Sequence, residues 1–212
     1  MLAVFKQRLL QRAEVAGLGI APEHIEPLAQ YFELLERWNR SINLTSLPLS
    51  DVSPSAIDRL FIDPLLALSL LRTPPASWFD LGSGGGSPAV PMRIALGSKG
   101  KLTMVEARSR KASFLREVVR ELGLLNVEVL EARIETLRAK AAIARSAELV
   151  TSRAVRIEES IEEAIAELSA IGGTLMLFTT ADAPKVLPAG FLPARIFNLP
   201  EGRRIQPFVR LP

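Results

Sequence analysis

The sequence contains no cysteine and a single histidine. Without cysteine the chain cannot form disulfides, zinc–thiolate sites or a cysteine nucleophile. The one imidazole, His24, lies near a predicted helix start and is expected at the surface, which argues against a histidine metal site and a histidine-driven hydrolase. We therefore expect no metal cofactor.

Long uninterrupted apolar runs are also missing. The apolar N-terminus contains Lys6 and Arg8, and the apolar stretch 61–71 contains Asp63 and Pro64. Neither stretch has the pattern of a signal peptide or of a membrane span. We expect a cytoplasmic protein with no membrane partner.

The chain has little excess charge, with a formal net charge of +3 over 212 residues. Composition therefore permits an anionic partner without requiring one. Basic residues cluster in one short segment and again near the end of the chain: Arg108, Arg110, Lys111, Arg116 and Arg120, then Arg203, Arg204 and Arg210. Charge alone leaves two interpretations open, a solvated helix face or a surface that binds an anion.

The chain divides into two regions of different pattern. In residues 22–40 the apolar side chains recur at steps of three and four, which predicts an amphipathic helix; they are Ile25, Leu28, Tyr31, Phe32, Leu35 and Trp38. Thr73-Pro74-Pro75 then interrupts the pattern. We predict an N-terminal helical cap over 1–71 and a second domain over 72–212.

From residue 72 onward, short apolar runs alternate with helical periods. This alternation predicts an α/β fold with a doubly wound, mostly parallel sheet. Around Pro200-Glu201-Gly202 two further strands predict a C-terminal antiparallel hairpin. The predicted strands are 78–81, 102–105, 127–130, 149–151 and 174–178, and the predicted helices are 88–96, 109–122, 134–145 and 157–171.

A glycine-rich stretch, D-L-G-S-G-G-G over residues 80–86, follows the first predicted strand. A loop at the carboxyl end of that strand lies where doubly wound sheets bind their ligands. A phosphate loop for nucleotide triphosphates is excluded, because no lysine follows these glycines before Lys99. A dinucleotide loop stays open, since Ala89 is a tolerated residue at its third glycine position. Ser87-Pro88 predicts a capped helix start directly after the loop.

Two acidic residues bear on the ligand. The carboxylate of Asp80 would repel the phosphates of a dinucleotide, whereas it suits the cationic amino-acid end of S-adenosylmethionine. Glu106 ends the second predicted strand, where an acid accepts hydrogen bonds from ribose hydroxyls of either ligand. Together the loop and Asp80 favour a methyl donor.

The residue types also restrict the methyl acceptor. Carbon methylation of pyrimidines needs a cysteine nucleophile, and none exists. Methylation of the adenine amine commonly uses an Asn/Asp-Pro-Pro-aromatic tetrad, where this chain has Thr151-Ser152-Arg153-Ala154. A ring nitrogen such as guanine N7 carries a free lone pair and no proton, so it needs only alignment and desolvation.

Several motifs together resemble the bacterial small-subunit ribosomal RNA guanine-N7 methyltransferase G family, also called glucose-inhibited division protein B. They are W-N-R-S-I-N-L-T at 38–45, R-L-F-I-D at 59–63, the glycine loop with S-P-A-V-P, K-A-S-F-L-R-E-V-V-R-E-L-G-L-L-N-V-E-V at 111–129, and T-S-R-A-V at 151–155. The resemblance implies a class I methyltransferase fold with an N-terminal helical cap. It also implies S-adenosylmethionine as donor, S-adenosylhomocysteine as product, and as acceptor a guanine in the decoding-region hairpin of 16S ribosomal RNA, free or in the small ribosomal subunit.

The resemblance also implies particular site residues. The donor site would comprise the loop residues with Asp80 and Glu106, the pair Ile134-Glu135 beside adenine, and Arg153. Arg153 and Asn43 would take part in catalysis, and we expect a monomer. The loop residues are Gly82, Ser83, Gly84, Gly86 and Ser87, and the residues expected at the RNA backbone are Arg37, Arg40, Arg59, Arg110, Lys111, Arg203 and Arg204.

The chain departs from the family pattern at three places. Leu60 replaces a histidine, Gly86-Ser87-Pro88-Ala89 replaces G-F-P-G, and Phe178-Thr179-Thr180 replaces Leu-Lys-Gly. Loss of that lysine removes a contact to RNA phosphate. The departures leave two alternatives open: a methyltransferase that acts on a small molecule or protein, and a non-catalytic or dinucleotide-binding domain.

Overall fold

The computed structural model describes residues 1–139, 143–180 and 188–212. Its N-terminal region is helical, as predicted. The helices are α1 (Leu2–Val15), α2 (Pro22–Asn39), α3 (Pro54–Ile57) and α4 (Asp63–Ala67), with a π-helical segment at Asp58–Ile62 and a short 3-10 helix at Leu68–Leu70. Within the described residues, no helix is both long and apolar enough to cross a membrane.

The cap helices are held together by a cluster of aromatic rings. The ring centroids of Phe5 and Phe32 lie 4.4 Å apart, and those of Phe5 and Phe61 lie 4.9 Å apart. These contacts join α1, α2 and the π-helical segment, and edge-to-face and stacked rings add to the stability gained by burial. The cap packs on the rest of the chain in one continuous apolar cluster. The division at residue 72 stays a prediction.

The remainder forms one eight-stranded sheet. Five parallel strands run in the order β3-β2-β1-β4-β5, so the order reverses between β1 and β4. The C-terminal strand β8 pairs antiparallel with β5, β6 and β7, which confirms the predicted hairpin. The strands are β1 (Ser77–Leu81), β2 (Lys101–Glu106), β3 (Val127–Glu131), β4 (Ala147–Arg153), β5 (Ser169–Thr180), β6 (Phe191–Pro193), β7 (Phe197–Asn198) and β8 (Arg203–Arg210).

Both faces of the sheet are covered. Successive strand residues point to opposite faces, and in β1 Trp78 packs in the cluster that includes the cap while Phe79 packs in the second cluster. Helices α5 (Ala89–Leu96) and α6 (Ser109–Glu121) contribute to the first cluster, and α7 (Glu159–Leu168) contributes to the second. This arrangement confirms the predicted doubly wound α/β architecture.

Two predicted helices were wrong in detail. The segment predicted as a helix over 134–145 begins as a 3-10 helix at Ile134–Ala139, and residues 140–142 lie outside the described residues. The helix predicted over 157–171 ends at Leu168 because β5 already starts at Ser169, which pairs with Ala147 of β4. Ile171, at the predicted end of that helix, is 60% exposed. Strand pairing has overridden the helical periodicity there.

Candidate active site

The glycine loop is shaped by its backbone. The N–H groups of Gly82 and Ser83 both donate to the carbonyl of Val105, at 2.9 and 3.0 Å. Gly82 has a φ of +72°, and a Cβ added there would lie 2.4 Å from Cγ2 of Val155. Both the dihedral angle and the close approach require glycine at this position.

The cap supports this loop from the other side. The hydroxyl of Tyr31 in α2 donates to the carbonyl of Gly85 at 2.6 Å. Complete burial raises the pKa of Tyr31 above its ordinary value, so the hydroxyl keeps its proton. Asn39 accepts hydrogen bonds from the N–H groups of Leu44 and Thr45 at 2.9 and 3.0 Å, which fixes the loop that carries Asn43.

A first cavity of about 530 Å³, called the donor cavity below, lies between the glycine loop and the cap. This volume is in the range of small-molecule sites. Most of the predicted donor residues line it, and so does the predicted catalytic residue Asn43. The lining residues from those predictions are Asn43, Gly82, Ser83, Gly84, Ser87, Glu106 and Arg153, together with Arg59 and Lys111 from the predicted RNA set.

The carboxylate of Glu106 is held rigidly at the edge of the donor cavity. Its Oε2 accepts a hydrogen bond from the N–H of Gly84 at 2.9 Å, and its Oε1 accepts one from the N–H of Arg108 at 2.8 Å. Each carboxylate oxygen can accept more than one hydrogen bond. The residue can therefore still accept hydroxyl donors from a ligand, and its binding to a ribose stays a prediction.

Asp80 does not line the donor cavity, and its contact with the donor stays a prediction. It is 1% exposed and lies beneath the glycine loop. Trp78 donates to the hydroxyl of Thr151, which in turn donates to Oδ1 of Asp80 at 2.6 Å. Oδ2 of Asp80 has no partner among the described residues. Burial raises the pKa of Asp80 to about 6.

Three other predicted donor residues also lie outside the lining of this cavity. Gly86 is buried behind the loop, where its N–H donates to the carbonyl of Ser83 at 2.7 Å. Ile134 packs in the second apolar cluster, and Glu135 is exposed on the 3-10 helix. The contact of Ile134 and Glu135 with adenine stays a prediction.

Arg153 lies at the carboxyl end of β4, between the glycine loop and the cap. Its Nη1 donates to Oγ of Ser87 at 3.1 Å and to the carbonyl of Arg59. The guanidinium carbon also lies 4.5 Å from the ring centroid of Phe178, within the range of a cation–π contact. Burial lowers the pKa of Arg153 to about 10, so the side chain remains charged at neutral pH.

Ser87 does not cap α5, contrary to the prediction. The helix begins at Ala89 with Pro88 at the N-cap position, and no side chain caps it. The Ser87 hydroxyl instead donates to the carbonyl of Leu60 at 2.9 Å and accepts the hydrogen bond from Arg153. The hydroxyl of Ser87 therefore binds tertiary partners, and no side chain accepts from the first N–H groups of α5.

A second cavity of about 540 Å³ adjoins the first, beside the carboxyl ends of β4 and β5. The two cavities share Arg59, Arg153, Ala154 and Val155 in their linings. The rest of the second lining comes from the cap and from the ends of three strands: Asp63, Ser152, Arg156, Ile157, Leu177, Phe178, Thr179, Thr180, Arg203 and Arg204.

A buried ion-pair network forms one side of the second cavity. Arg203 donates to Asp63 at 2.5 Å and to Asp58 at 3.4 Å, and Asp58 also binds Arg12 through two hydrogen bonds of 2.7 and 2.8 Å. Arg203 is 6% exposed. Its charge is thus paired with the two aspartates. The contact of Arg203 with RNA backbone stays a prediction.

The other basic residues predicted at RNA occupy several environments. Arg110 is exposed, and Arg204 is half-buried at the second cavity. The exposed Arg37 pairs with Glu117 at the surface, and the exposed Arg40 pairs with Glu36, which is buried. Surface pairs such as Arg37–Glu117 contribute little to stability and can exchange partners. Their contact with RNA stays a prediction.

Residues 24–185 match the model of a protein family described as rRNA small subunit methyltransferase G. The chain belongs to this family. It is 37% identical to the ribosomal RNA small subunit methyltransferase G of Chloroflexus aggregans over 171 aligned residues. The alignment covers 80% of this chain and 70% of the relative. It is 33% identical to the protein of the same name from Ectopseudomonas mendocina. That alignment covers 62% of this chain and 60% of the relative.

Solved structures support the fold. A methyltransferase from Geobacter sulfurreducens superposes with a TM-score of 0.62 at 16% identity, over 94% of both chains. A SAM-dependent methyltransferase from Aquifex aeolicus gives a TM-score of 0.60 at 18% identity, over 75% of this chain and 94% of that one. The chain thus has the fold of the class I S-adenosylmethionine-dependent methyltransferases.

The departures from the family pattern lie in the linings of both cavities or beside them. Leu60 and Ser87 line the donor cavity, and the carbonyl of Leu60 accepts a hydrogen bond from Ser87, which accepts one from Arg153. Ala89 is buried at the start of α5. Thr179 and Thr180 line the second cavity. The departures therefore change both cavities, while the glycines of the loop are kept.

Proposed function

We propose that this protein methylates N7 of a guanine in the decoding-region hairpin of 16S ribosomal RNA, with S-adenosylmethionine as donor. The observation that carries the proposal is the pair of adjoining cavities, which share Arg153, Ala154 and Val155 at the end of β4. One cavity is bordered by the glycine loop, and the other is open for an acceptor beside it. Membership of the family supports the identity of the acceptor.

The volume and the polar groups of the donor cavity support this donor. The loop backbone allows close approach, and Glu106 presents a fixed carboxylate for hydroxyl groups. Asn43 is exposed and lines the cavity. We place Ile134 and Glu135 near the adenine end, and Arg153 and Asn43 near the reacting groups.

The proposed chemistry requires little of the protein beyond alignment. S-adenosylmethionine supplies a methyl group on a sulfonium; as the lone pair of guanine N7 bonds to that carbon, the carbon–sulfur bond breaks, which gives S-adenosylhomocysteine and a cationic 7-methylguanine. No general base is needed, which agrees with a chain that has one histidine. Arg153 is fixed between Ser87, Arg59 and Phe178, so it can hold its position without rearrangement during the reaction.

The RNA partner would be held through its phosphates. Arg59 and Lys111 line the donor cavity, and Arg37 and Arg110 are exposed on α2 and α6. Phosphate contacts position an RNA without reading its sequence. We propose 16S ribosomal RNA or the small ribosomal subunit as partner, a monomeric cytoplasmic enzyme, and no metal. The basic residues proposed for this role are Arg37, Arg40, Arg59, Arg110, Lys111 and Arg204.

Two measurements test the proposal. Calorimetry should show that S-adenosylhomocysteine binds and that NAD does not; the reverse result would support a dinucleotide-binding domain. Labelled methyl transfer should then modify small subunits or 16S ribosomal RNA from a strain that lacks the modification, with the label at guanine N7. Binding of S-adenosylhomocysteine without label in either RNA fraction would indicate a methyltransferase with another acceptor.

A further inference from the structure

Asp63 has one carboxylate oxygen that the ion-pair network does not use. The residue begins α4 and lines the second cavity, although only 4% of it is exposed. Its Oδ1 accepts a hydrogen bond from Arg203. Within the described parts of the chain, no group donates to its Oδ2. An ionised carboxylate accepts several hydrogen bonds and donates none, so the free oxygen favours a ligand that presents N–H groups.

We propose that the second cavity binds the acceptor base and that Asp63 selects guanine by accepting hydrogen bonds from its N1–H and 2-amino groups. This inference rests on the proposed function, because it names the base-selecting residue of the same site. It assigns to Asp63 a contact with the substrate in addition to its ion pair with Arg203.

The surroundings of Asp63 suit a flipped-out base. Phe178 and Leu177 come from the end of β5, and Val155 and Ile157 follow β4, so an apolar and aromatic wall faces the cavity. Enzymes that modify bases commonly stack the extruded base on such side chains and read its Watson–Crick edge with hydrogen bonds. The cavity also shares Val155 with the donor cavity, so a bound base would lie beside the donor.

The chemistry of a carboxylate distinguishes guanine from the other bases. The Watson–Crick edge of guanine has two adjacent N–H donors, whereas that of adenine has one donor beside an acceptor nitrogen. A carboxylate would be repelled by that acceptor. Because N7 lies on the opposite edge, binding through Asp63 leaves N7 free to react. Methylation makes the base cationic, so an anion at its edge also stabilises the charge that develops.

The buried ion pairs allow a simpler role, in which Asp63 serves only to neutralise Arg203. Asp58 provides the matched control, since it binds the same arginine and is equally buried, but it does not line the second cavity. Asp58→Asn and Asp63→Asn therefore perturb the same network, and only the second changes the cavity. Calorimetry with S-adenosylhomocysteine shows for each variant whether the donor cavity is still folded.

The test compares guanine with inosine, which lacks only the 2-amino group and keeps N7. Small subunits are reconstituted with 16S ribosomal RNA that carries inosine at the guanine methylated by the wild-type protein. We expect the wild-type protein to methylate inosine about tenfold more slowly or worse, in line with about 1–3 kcal/mol for a specific base contact. For Asp63→Asn, the rate of methylation of guanine divided by that of inosine should fall to about two or less. Asp58→Asn should keep the wild-type ratio of these rates.

Each outcome decides between the hypotheses. Equal rates on guanine and inosine with the wild-type protein would overturn the role of Asp63, and this measurement needs no variant. An unchanged ratio in Asp63→Asn would overturn it as well. Failure of the wild-type protein to label guanine in any RNA would instead contradict the proposed function, so the two failures can be told apart.

Discussion

The two cavities are built in different ways. One wall of the donor cavity is a run of consecutive residues, the glycine loop, whose backbone N–H groups bind Val105 and Glu106. Residues from the segments 43–47, 59–60, 106–111 and 153–155 form most of the rest of its lining. The second cavity is assembled from side chains of four chain segments, 59–63, 152–157, 177–180 and 203–204. Where the backbone itself forms the wall, non-glycine residues can change, but a glycine in a tight turn cannot gain a Cβ. A cavity made of side chains changes with every substitution in its wall.

The departures from the family pattern affect both cavities. The glycines of the loop keep their pattern, whereas Leu60 and Ser87 line the donor cavity and Thr179 and Thr180 line the second cavity. The two linings meet mainly at Arg153 and its neighbours. We therefore expect most substitutions to affect the function of one cavity and not of the other. Substitutions of residues that line both cavities, such as Arg153, are the exceptions.

Arg153→Ala should have the largest effect, since it changes both cavities at once. Removal of one fixed charge at a reacting centre typically costs about 100-fold in rate or more. We expect the rate of methyl transfer to small subunits to fall by about that factor, as measured with labelled donor under single-turnover conditions. Arg156→Ala is the control, because Arg156 lines the second cavity but pairs with Glu158 at the surface. Equal losses in both variants would contradict a special role for Arg153.

A pH series tests whether Asp80 lies outside the donor cavity. With a pKa of about 6 in the folded protein and an ordinary value of 3.8, Asp80 keeps its proton between pH 4 and 6 while the unfolded chain loses it. The folded state then binds more protons, so its stability falls as pH rises through this window, by about 3 kcal/mol in total. Below pH 4 and above pH 6 this contribution is constant.

Asp80→Asn isolates this contribution from those of the other carboxylates, because an amide does not titrate. The free energy of unfolding, measured with urea, is compared between wild type and variant from pH 4 to 7. The wild-type value should decrease relative to the variant as pH rises to 6. If the difference in the free energy of unfolding between wild type and variant did not depend on pH, Asp80 would have the same pKa in the folded and unfolded protein. That result is expected for a solvated carboxylate that faces the donor.

Gly82→Ala should damage the donor cavity and displace Val155, which lines both cavities. The new Cβ would meet Val155 at 2.4 Å in a backbone conformation with φ of +72°. We expect the affinity for S-adenosylhomocysteine, measured by calorimetry, to fall about tenfold or more, since clashes and overpacking commonly cost about 1–3 kcal/mol. Gly123→Ala has a similar φ of +59° with no atom within 4 Å of the added Cβ. It should lower stability without changing that affinity; a similar loss of affinity in both variants would point to general strain.

The sequence predicted the parts of the molecule that depend on neighbouring residues. The glycine loop, Glu106 and the alternating strands and helices follow from local patterns. The network of Asp58, Asp63 and Arg203 could not be predicted, because it joins residues up to 145 positions apart. The one available signal was a pair of aspartates inside an otherwise apolar stretch, which indicates buried charges that need a cationic partner.

The smallest effect is expected for Tyr31→Phe, which removes a single hydrogen bond between the cap and the glycine loop. The hydroxyl of Tyr31 is buried and donates to the carbonyl of Gly85 at 2.6 Å. Loss of such a bond should cost about 1 kcal/mol, or about 2–4 °C in Tm for a chain of this size. Because the bond holds the donor cavity, S-adenosylhomocysteine should bind more weakly while the guanine-to-inosine ratio stays that of wild type. A changed guanine-to-inosine rate ratio with an unchanged affinity for S-adenosylhomocysteine would show that the cap acts on the second cavity instead. The hypothesis that the two cavities respond independently would then be wrong.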